Sequence, residues 1–500
     1  MGLADYFARN AVAAAQVLAG YDEATIRERL AVHRIGLVIG RSAANGEGRA
    51  LTDLTVRLLA RLYPTLIIEG SGVDARATEL ADLARAINPE IELDGTPSLR
   101  LAVGDDAAGV PATFFAGSAG WTALFSRRSP QPVGSTNNPF GAGASACLAA
   151  ANLFRAVFFD DAETRLDGDA TFAVLEAGRV DNDIAPLRVD DRLALVGLGA
   201  VGNAAAWALA RTNIAGPIEL IDDEVIDLGN LQRYVLAARS DVGRPKVDVA
   251  ASALGGTWSV QPVAHRWAAA VARNGVPDRV LVALDSARDR RAVQAALPRW
   301  IANAWTQPGD LGVSAHDFLG GACLACLYLP AGSVENEDQI VARALGIPER
   351  LMEIRQLLDT SAGTPRALIE AVAAAHGVPL ESALAFEGRP LRALYVEGVC
   401  GGALLPIGKA GAPRPEVHVP LVHQSALAGV LLAAELVGHL VAPVQGTHVA
   451  RLDVLRPLPP VVRQPAAKDS RGICICQDAD YIAAYRSLYP EAPGPPSQGG

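Results

Sequence analysis

The stretch LALVGLGAVGNAAAWALARTNIAGPIELIDDE, residues 193–224, decides how the chain is read. Four apolar residues run into Gly197-x-Gly199-x-x-Gly202, an Ala-rich segment of helical length follows, and a second apolar run ends in Asp222-Asp223-Glu224. A strand, a glycine turn, a helix and a second strand ending in acid form the layout in which nucleotides are bound. The glycines let backbone approach phosphate, and the helix start offers unpaired amides to it. The glycines alone do not separate a nicotinamide or flavin dinucleotide from ATP. The residues beyond them do.

In a dinucleotide-dependent oxidoreductase one acid at the end of the second strand takes the ribose, and the chain moves on. Here the acids lead directly into VIDLGNLQRYVLAARSDVGRPKV, residues 225–247, which brings Asn230, Gln232, Arg233 and Lys246 close behind them. A polar, cationic set beside a glycine turn suits a triphosphate and its metal, because it neutralises charge building on the α-phosphate and on departing pyrophosphate. A NAD-dependent oxidoreductase, the reading from another class, leaves that set unexplained. A scaffold with no catalysis leaves it without a reason to be there.

Around this motif the chain is 500 residues long, too many for one ordinary core, with half its residues hydrophobic and a fifth charged. That composition predicts well-packed domains rather than disorder. A net charge of −10 gives no support to nucleic-acid binding. The first twenty residues mix acids and bases where a secretory signal needs an unbroken apolar run, and Tyr6 stands where a myristoylation signal needs Ser or Thr. The most membrane-like segment, 426–444, contains Glu435 and His439 and predicts a buried helix, not a span. A cytoplasmic protein is expected, with no membrane and no nucleic-acid partner.

The expected fold class is α/β, with Rossmann-like doubly wound parallel sheets in two related lobes. RIGLVIG (34–40) and PTLIIEG (64–70) read as buried parallel strands with a helical segment between them, and the second half alternates strands and helices in the same manner. GASACLAAANLFRAVFF (143–159) and ALAGVLLAAELVGHLVA (426–442) form a weak repeat, each closing its half. GLVIG parallels ALVGLG, but Arg41 and Ser42 replace glycines, so residues 1–180 read as an inactive, degenerate copy. A polar stretch, 176–191, reads as a linker, residues 331–399 as a helical insertion and 488–500 as a Pro/Gly-rich disordered tail.

At this point the residues resemble a family. LVGLGAVG…IELIDDEVIDLGNLQRYVL…DVGRPKV is similar to the adenylation domain of ubiquitin-activating enzymes and their bacterial ThiF, MoeB and HesA relatives, over about 185–330 and again over 400–480. The resemblance implies that Gly197, Gly199, Gly202, Asp222, Glu224, Asn230, Gln232, Arg233 and Lys246 hold ATP, with Asp222 on the ribose and Arg233 and Lys246 on the phosphates. It implies that Asp285, in VALDSARDRR, binds the Mg²⁺ of MgATP, with Asp289 as the neighbouring candidate and a helix N-cap as the structural alternative for Asp285. Ser286 stands where the family usually has Asn, Tyr234 where it usually has Gln, and Glu224 where it has Asp. An arginine of the partner half, Arg27 or Arg29, is implied at the phosphates.

Six cysteines in 500 residues form no disulfide framework. Cys323-x-x-Cys326 and Cys474-x-Cys476 supply the four thiols of a closed zinc site, and the resemblance implies structural Zn²⁺ there. Cys400, in YVEGVCGGALLPIG, follows the helical insertion where the family places its thioester-forming cysteine, with Gly398, Gly401 and Gly402 leaving room for a carrier tail. A lone cysteine is also commonly a small buried apolar residue, which is the reading for Cys147. His418 and His423 receive no role.

The resulting expectation is ATP-dependent adenylation of the C-terminal carboxylate of a Gly-terminated ubiquitin-like protein, then a thioester on Cys400 and transfer to a conjugating enzyme, as in a bacterial ubiquitin-like system. The alternative is adenylation without a thioester, in sulfur-carrier, peptide or tRNA chemistry. The two lobes make the chain pseudo-dimeric, and a homodimer is also possible.

Overall fold

A computed structural model describes residues 2–18, 21–44, 46–107, 109–176, 178–330, 337–360, 362–400, 419–458 and 462–490. The chain divides into two compact units, one of Met1–Asp5, Leu30–Leu329 and Leu421–Gly500, the other of Tyr6–Arg29 and Pro330–Pro420.

The larger unit is built on two sheets. The first holds β1 (Ile35–Ile39), β2 (Leu66–Gly70), β3 (Leu99–Val103), β4 (Phe114–Ala119), β5 (Thr122–Ser126) and β6 (Ala170–Ala173) in the order β2-β1-β3-β4-β5-β6. The second holds β7 (Leu187–Arg188), β8 (Leu193–Val196), β9 (Ile214–Ile221), β10 (Trp258–Val263), β11 (Arg279–Val282), β12 (Trp300–Gln307), β13 (Asp310–His316), β14 (His448–Leu452) and β15 (Gln464–Pro465). Its order is β10-β9-β8-β11-β12-β13-β14-β15, with β7 added beside β9. The stretch expected as a plain linker therefore contributes a short strand, parallel to β9 through Leu187 and Arg188.

Without β7, β10 and β15 the second sheet has the topology of the first. Strands β2-β1-β3-β4 correspond to β9-β8-β11-β12, all parallel, and the antiparallel β5 and β6 correspond to β13 and β14. The central strands IGLVI and LALV are buried at every position, as parallel strands covered on both faces must be. A long small-residue helix follows each fifth strand, Pro139–Phe158 in the first lobe and Val422–Val441 in the second. Both are long and apolar enough to cross a membrane by composition, but they are 94% and 83% buried inside the protein and form its core. Their glycines let neighbours approach: a Cβ on Gly429 would lie 2.3 Å from the Val201 carbonyl oxygen and 2.6 Å from the Ala204 Cβ.

The smaller unit is helical. Glu337–Ala344, Leu351–Thr360 and Arg366–His376 pack through Val341, Leu345, Ile354, Leu368, Ile369 and Val372. Helix Phe7–Val17 belongs to the same unit, where Val419 donates its amide to Gln16 at 2.8 Å. At the other end of the sequence, Leu488 closes a regular helix and the Tyr489 hydroxyl donates to the Leu297 carbonyl at 3.1 Å, so these two residues, expected in the tail, belong to the folded unit. Residues 491–500 lie outside the described residues.

Candidate nucleotide and metal sites

The glycine turn sits between the C-terminal ends of two adjacent parallel strands, β8 and β11, where an open α/β sheet places its ligands. Gly197 has φ +85°, and a Cβ there would lie 2.7 Å from the Ala283 carbonyl oxygen. Gly202, the third residue of helix Ala200–Leu209, rides so close to the turn that a Cβ would stand 1.9 Å from the Gly197 oxygen. Gly199 faces open space, its nearest neighbour being the Tyr234 hydroxyl at 3.8 Å. No described residue takes the amides of Gly199, Ala200 and Val201. Free donors, the positive end of a helix and an open cradle fit a phosphate group.

Asp222 ends the second strand and faces back to this turn. Its carboxylate accepts from the Leu198 amide at 2.7 Å and from the Glu224 amide at 2.9 Å. Burial raises its pKa, against the pull of Lys246 and those two amides. Lys246 is buried at the start of helix Lys246–Leu254, paired with Glu224 and lying 5.3 Å over the Tyr234 ring. Burial opposes its charge, but Tyr234, Asp222 and Glu224 outweigh burial and lift its pKa above the ordinary lysine value. The ammonium is therefore permanent at neutral pH.

The segment between them is organised as a turn. Asn230 Oδ1 accepts from the Asp227 amide at 3.0 Å, so part of this side chain caps the 3-10 turn Leu228–Gln232. Gln232 is buried, and Arg233 reaches its Oε1 at 3.4 Å while stacking 5.6 Å over Tyr234. Tyr234, met in the sequence as a departure from the family, thus carries two cations on its ring.

Asp285 follows β11 and is exposed, with no hydrogen bond or ion pair to any described residue. The helix-cap alternative is taken by its neighbour: Ser286 caps Ala287–Ala295, accepting from the Asp289 amide at 2.9 Å and donating to Asp289 Oδ2 at 2.8 Å. Asp289 is thereby engaged, and Asp285 is the free carboxylate. Hard oxygen ligands with open coordination positions are what Mg²⁺ on a triphosphate requires.

Residues from the first lobe, which sequence reasoning missed, hold this region in place. Arg61, 1% exposed, donates to the Tyr234 carbonyl and, at 2.6 Å, to the Ala237 carbonyl. Arg57 donates to the Val235 carbonyl at 2.9 Å, and Asp53 accepts from Arg211 at 2.7 Å and from Trp207 Nε1 at 2.8 Å. Asn203, next to Gly202, accepts from the Leu236 amide at 2.7 Å. The spacing of Asp53, Arg57 and Arg61, every fourth residue of helix Gly46–Leu62, was the available signal.

The four cysteines converge. The Sγ atoms of Cys323, Cys326, Cys474 and Cys476 all lie within 4.8 Å of one another, with 3.4 Å between Cys323 and Cys474 and 3.5 Å between Cys326 and Cys476. Four thiolates about 2.3 Å from a tetrahedral zinc stand roughly 3.8 Å apart, so the set fits that ion. The narrow Cys474-x-Cys476 spacing meets the same geometry because both segments are short 3-10 turns, Leu324–Tyr328 and Ile475–Gln477. Stacking of Phe318 on Tyr485 at 4.8 Å closes the site from the side.

Other expected residues lie elsewhere. Cys400 ends helix Leu394–Cys400 of the smaller unit, and its side chain, like Gly401, Gly402 and His418, lies outside the described residues. Arg27 pairs with Glu23 and stacks 4.7 Å over Phe7, and Arg29 lies 5.8 Å over Tyr21, all in that smaller unit. Cys147 and His423 are core residues, 1% and 3% exposed.

Residues 187–340 match the ThiF family model, and residues 39–159 match the model for Prokaryotic E2 family C. Over 508 residues the chain is 43% identical to protein y4jF of Sinorhizobium fredii strain NBRC 101917 / NGR234, covering 98% of each chain. A 65-residue segment is 43% identical to the molybdopterin-synthase adenylyltransferase of Escherichia coli strain K12, covering 13% of this chain and 26% of that protein. A 57-residue segment is 46% identical to the tRNA threonylcarbamoyladenosine dehydratase of Bacillus subtilis strain 168, covering 11% and 22%.

Proposed function

This chain contains a ThiF family domain, and from that premise we propose that it is an ATP-using adenylyltransferase acting on the C-terminal carboxylate of a Gly-terminated carrier protein. The observation that carries the reading is the unshared Asp285 carboxylate, three residues past β11, together with the open amides of Gly199, Ala200 and Val201, which follow the adjacent parallel strand β8. A dinucleotide needs no free acid there.

In this reading the substrate carboxylate oxygen forms a bond to the α-phosphorus of ATP while the bond from that phosphorus to the bridging oxygen breaks. The products are an acyl-adenylate and pyrophosphate. Asp285 would hold Mg²⁺, which neutralises phosphate charge when bound. The helix amides and Lys246 would meet the developing charge, Arg233 would add to it, and Asp222 would take the ribose. Asp222 orients the turn as well, through its bond to the Leu198 amide. Positioning and fixed electrostatics supply most of the rate in such a displacement. Cys323, Cys326, Cys474 and Cys476 would hold structural zinc.

A second step is proposed on Cys400, whose thiolate would take the acyl group as AMP leaves and pass it to a conjugating enzyme. The match of residues 39–159 to an E2-named model does not move this step to the first lobe. Its single cysteine, Cys147, is buried in helix Pro139–Phe158, where burial drives the thiol pKa up. That lobe is read as an inactive adenylation-like half that supports the other. Adenylation without a thioester is the second reading, favoured by relatives whose names include a sulfur carrier protein adenylyltransferase and a tRNA threonylcarbamoyladenosine dehydratase.

The test is carrier-dependent exchange of labelled pyrophosphate into ATP with candidate Gly-terminated proteins. Exchange should require carrier and fall by on the order of 10²-fold in Asp285→Ala; ATP binding without exchange for any carboxylate would refute the reading. A thiol-labile carrier adduct lost in Cys400→Ala supports the thioester, and exchange with no such adduct selects the second reading.

A further inference from the structure

The turn Leu324–Tyr328 is fastened at both ends. At one end Cys323 caps it and Cys326 lies within it, so the four-cysteine site fixes its position. At the other it docks on helix Ala287–Ala295, whose capping residue Ser286 directly follows Asp285. Two of that helix's three buried residues are polar, Arg290 and Gln294, and both meet the turn. Gln294 Oε1 accepts from the Leu324 amide at 2.8 Å, and Arg290 Nη1 donates to the Tyr328 hydroxyl at 2.5 Å. Arg290 also lies 4.7 Å over the Tyr328 ring.

Arg290 then reaches back past its own helix. Its Nε donates to the Leu284 carbonyl at 2.8 Å and Nη2 reaches the same oxygen, so the guanidinium grips the peptide immediately before Asp285. A return path closes the ring. Asn303 Nδ2 reaches the Tyr328 hydroxyl at 3.1 Å and Ser314 Oγ at 3.3 Å; Ser314 meets His316 Nε2 at 2.8 Å, and His316 Nδ1 meets the Ala322 carbonyl, next to Cys323, at 2.8 Å. A buried guanidinium is tolerated only with its donors satisfied, so this arrangement resists small displacements and transmits them instead.

We propose that Tyr328 and Arg290 are positioning residues that couple occupancy of the four-cysteine site to the placement of the Asp285 carboxylate, so that a thiophilic divalent metal at the cysteines strengthens the Mg²⁺-dependent part of ATP binding. The proposal rests on the reading of Asp285 given above. Coupling of this kind is reciprocal: MgATP must also act on the metal at the cysteines.

The experiment uses the full chain loaded with cobalt(II), whose thiolate absorption bands report on the cysteine site, and titrates ATP with and without Mg²⁺. MgATP should shift the cobalt bands of the wild type and leave those of Tyr328→Phe unmoved. The ratio of ATP affinities with and without Mg²⁺ should fall roughly three- to tenfold in Tyr328→Phe, the scale of the net contribution of one hydrogen bond. Arg290→Lys, which keeps the charge and loses the fork, should act in the same direction. Wild-type bands that ignore bound MgATP overturn the coupling. A Mg²⁺ effect lost in Asp285→Ala and retained in Tyr328→Phe also overturns it, while leaving the reading of Asp285 intact. If Asp285→Ala keeps the full Mg²⁺ effect, the underlying reading falls, and the coupling with it.

Discussion

The two sheets start from one frame and use it in opposite ways. Ile39 of β1 pairs with Val103 of β3, and Val196 of β8 pairs with Val282 of β11. Three residues past these pairs each lobe has an aspartate, Asp106 in the first and Asp285 in the second. In the first lobe Asp106 accepts from the Arg41 and Ser42 amides and from Ser42 Oγ at 2.8 Å, and Gly40 leaves it room, since a Cβ there would lie 2.1 Å from Asp106 Oδ1. The carboxylate occupies the loop amides that a phosphate would need. In the second lobe the loop amides beyond Leu198 are open and Asp285 is free. One aspartate, turned inward or left outward, separates a sealed loop from one that can take a nucleotide.

The largest effect should come from breaking that difference. Asp285→Ala is expected to lower pyrophosphate exchange by on the order of 10²-fold, the scale for losing an electrostatic group at a displacement centre. Asp106→Ala should leave exchange within about twofold and lower only stability, by roughly 1–3 kcal/mol for the amides left unmet. Equal losses in the two variants would mean that the lobes do not divide as their carboxylates indicate.

Cys474→Ser tests the second lobe's other addition, the cysteine site, for which the first lobe has no counterpart. The wild type should carry one equivalent of zinc by elemental analysis, and the variant should lose it with several kcal/mol of stability at neutral pH. Wild-type chain without bound metal, or a variant that keeps both zinc and stability, would reduce the cluster to a thiol-lined core.

Arg61→Met asks whether the sealed lobe acts on the open one. It keeps the volume and removes the donors to the Tyr234 and Ala237 carbonyls, and should cost about 2–4 kcal/mol in a denaturant titration. The KM for ATP should rise with it, because Tyr234 stacks on both Lys246 and Arg233. A large stability loss with an unchanged KM would confine the first lobe to scaffolding.

The nucleotide loop and the acid that follows it were legible because their constraints are local. Gly197, Gly202 and Asp222 each answer to backbone within one strand–turn–helix unit, and a spacing expresses that directly. The four cysteines were legible by count, although 151 residues separate Cys323 from Cys474. Arg61 and Asp106 were not. Arg61 acts on backbone 173 residues away, and Asp106 looks like any loop acid until the register of β1 against β3 sets it on the Arg41 amide. Asn230 was legible as polar and near the site, but the cap it forms depends on the turn closing at Leu228–Gln232. The first lobe reads as inactive from the glycines it lacks, and the aspartate that fills its loop has no spacing of its own.

The smallest effect concerns the seam between the lobes. His423, near the start of the second lobe's long helix, sits 5.6 Å from the ring of Phe154 in the corresponding helix of the first. Burial, aided by the charge of Arg155, lowers its pKa from 6.5 to about 3. The unfolded chain therefore binds a proton near pH 6.5 that the fold refuses, so this group costs nothing above that pH and destabilises progressively as pH falls from 6.5 toward 3. Between pH 7.5 and 5.5 the loss should be about 1.4 kcal/mol from this residue. His423→Gln should make the denaturant midpoint less steep with pH by roughly that amount, whatever it does to stability at pH 7.5. An unchanged slope would mean that the histidine takes its proton in the folded state, and that water reaches the place where the two helices meet.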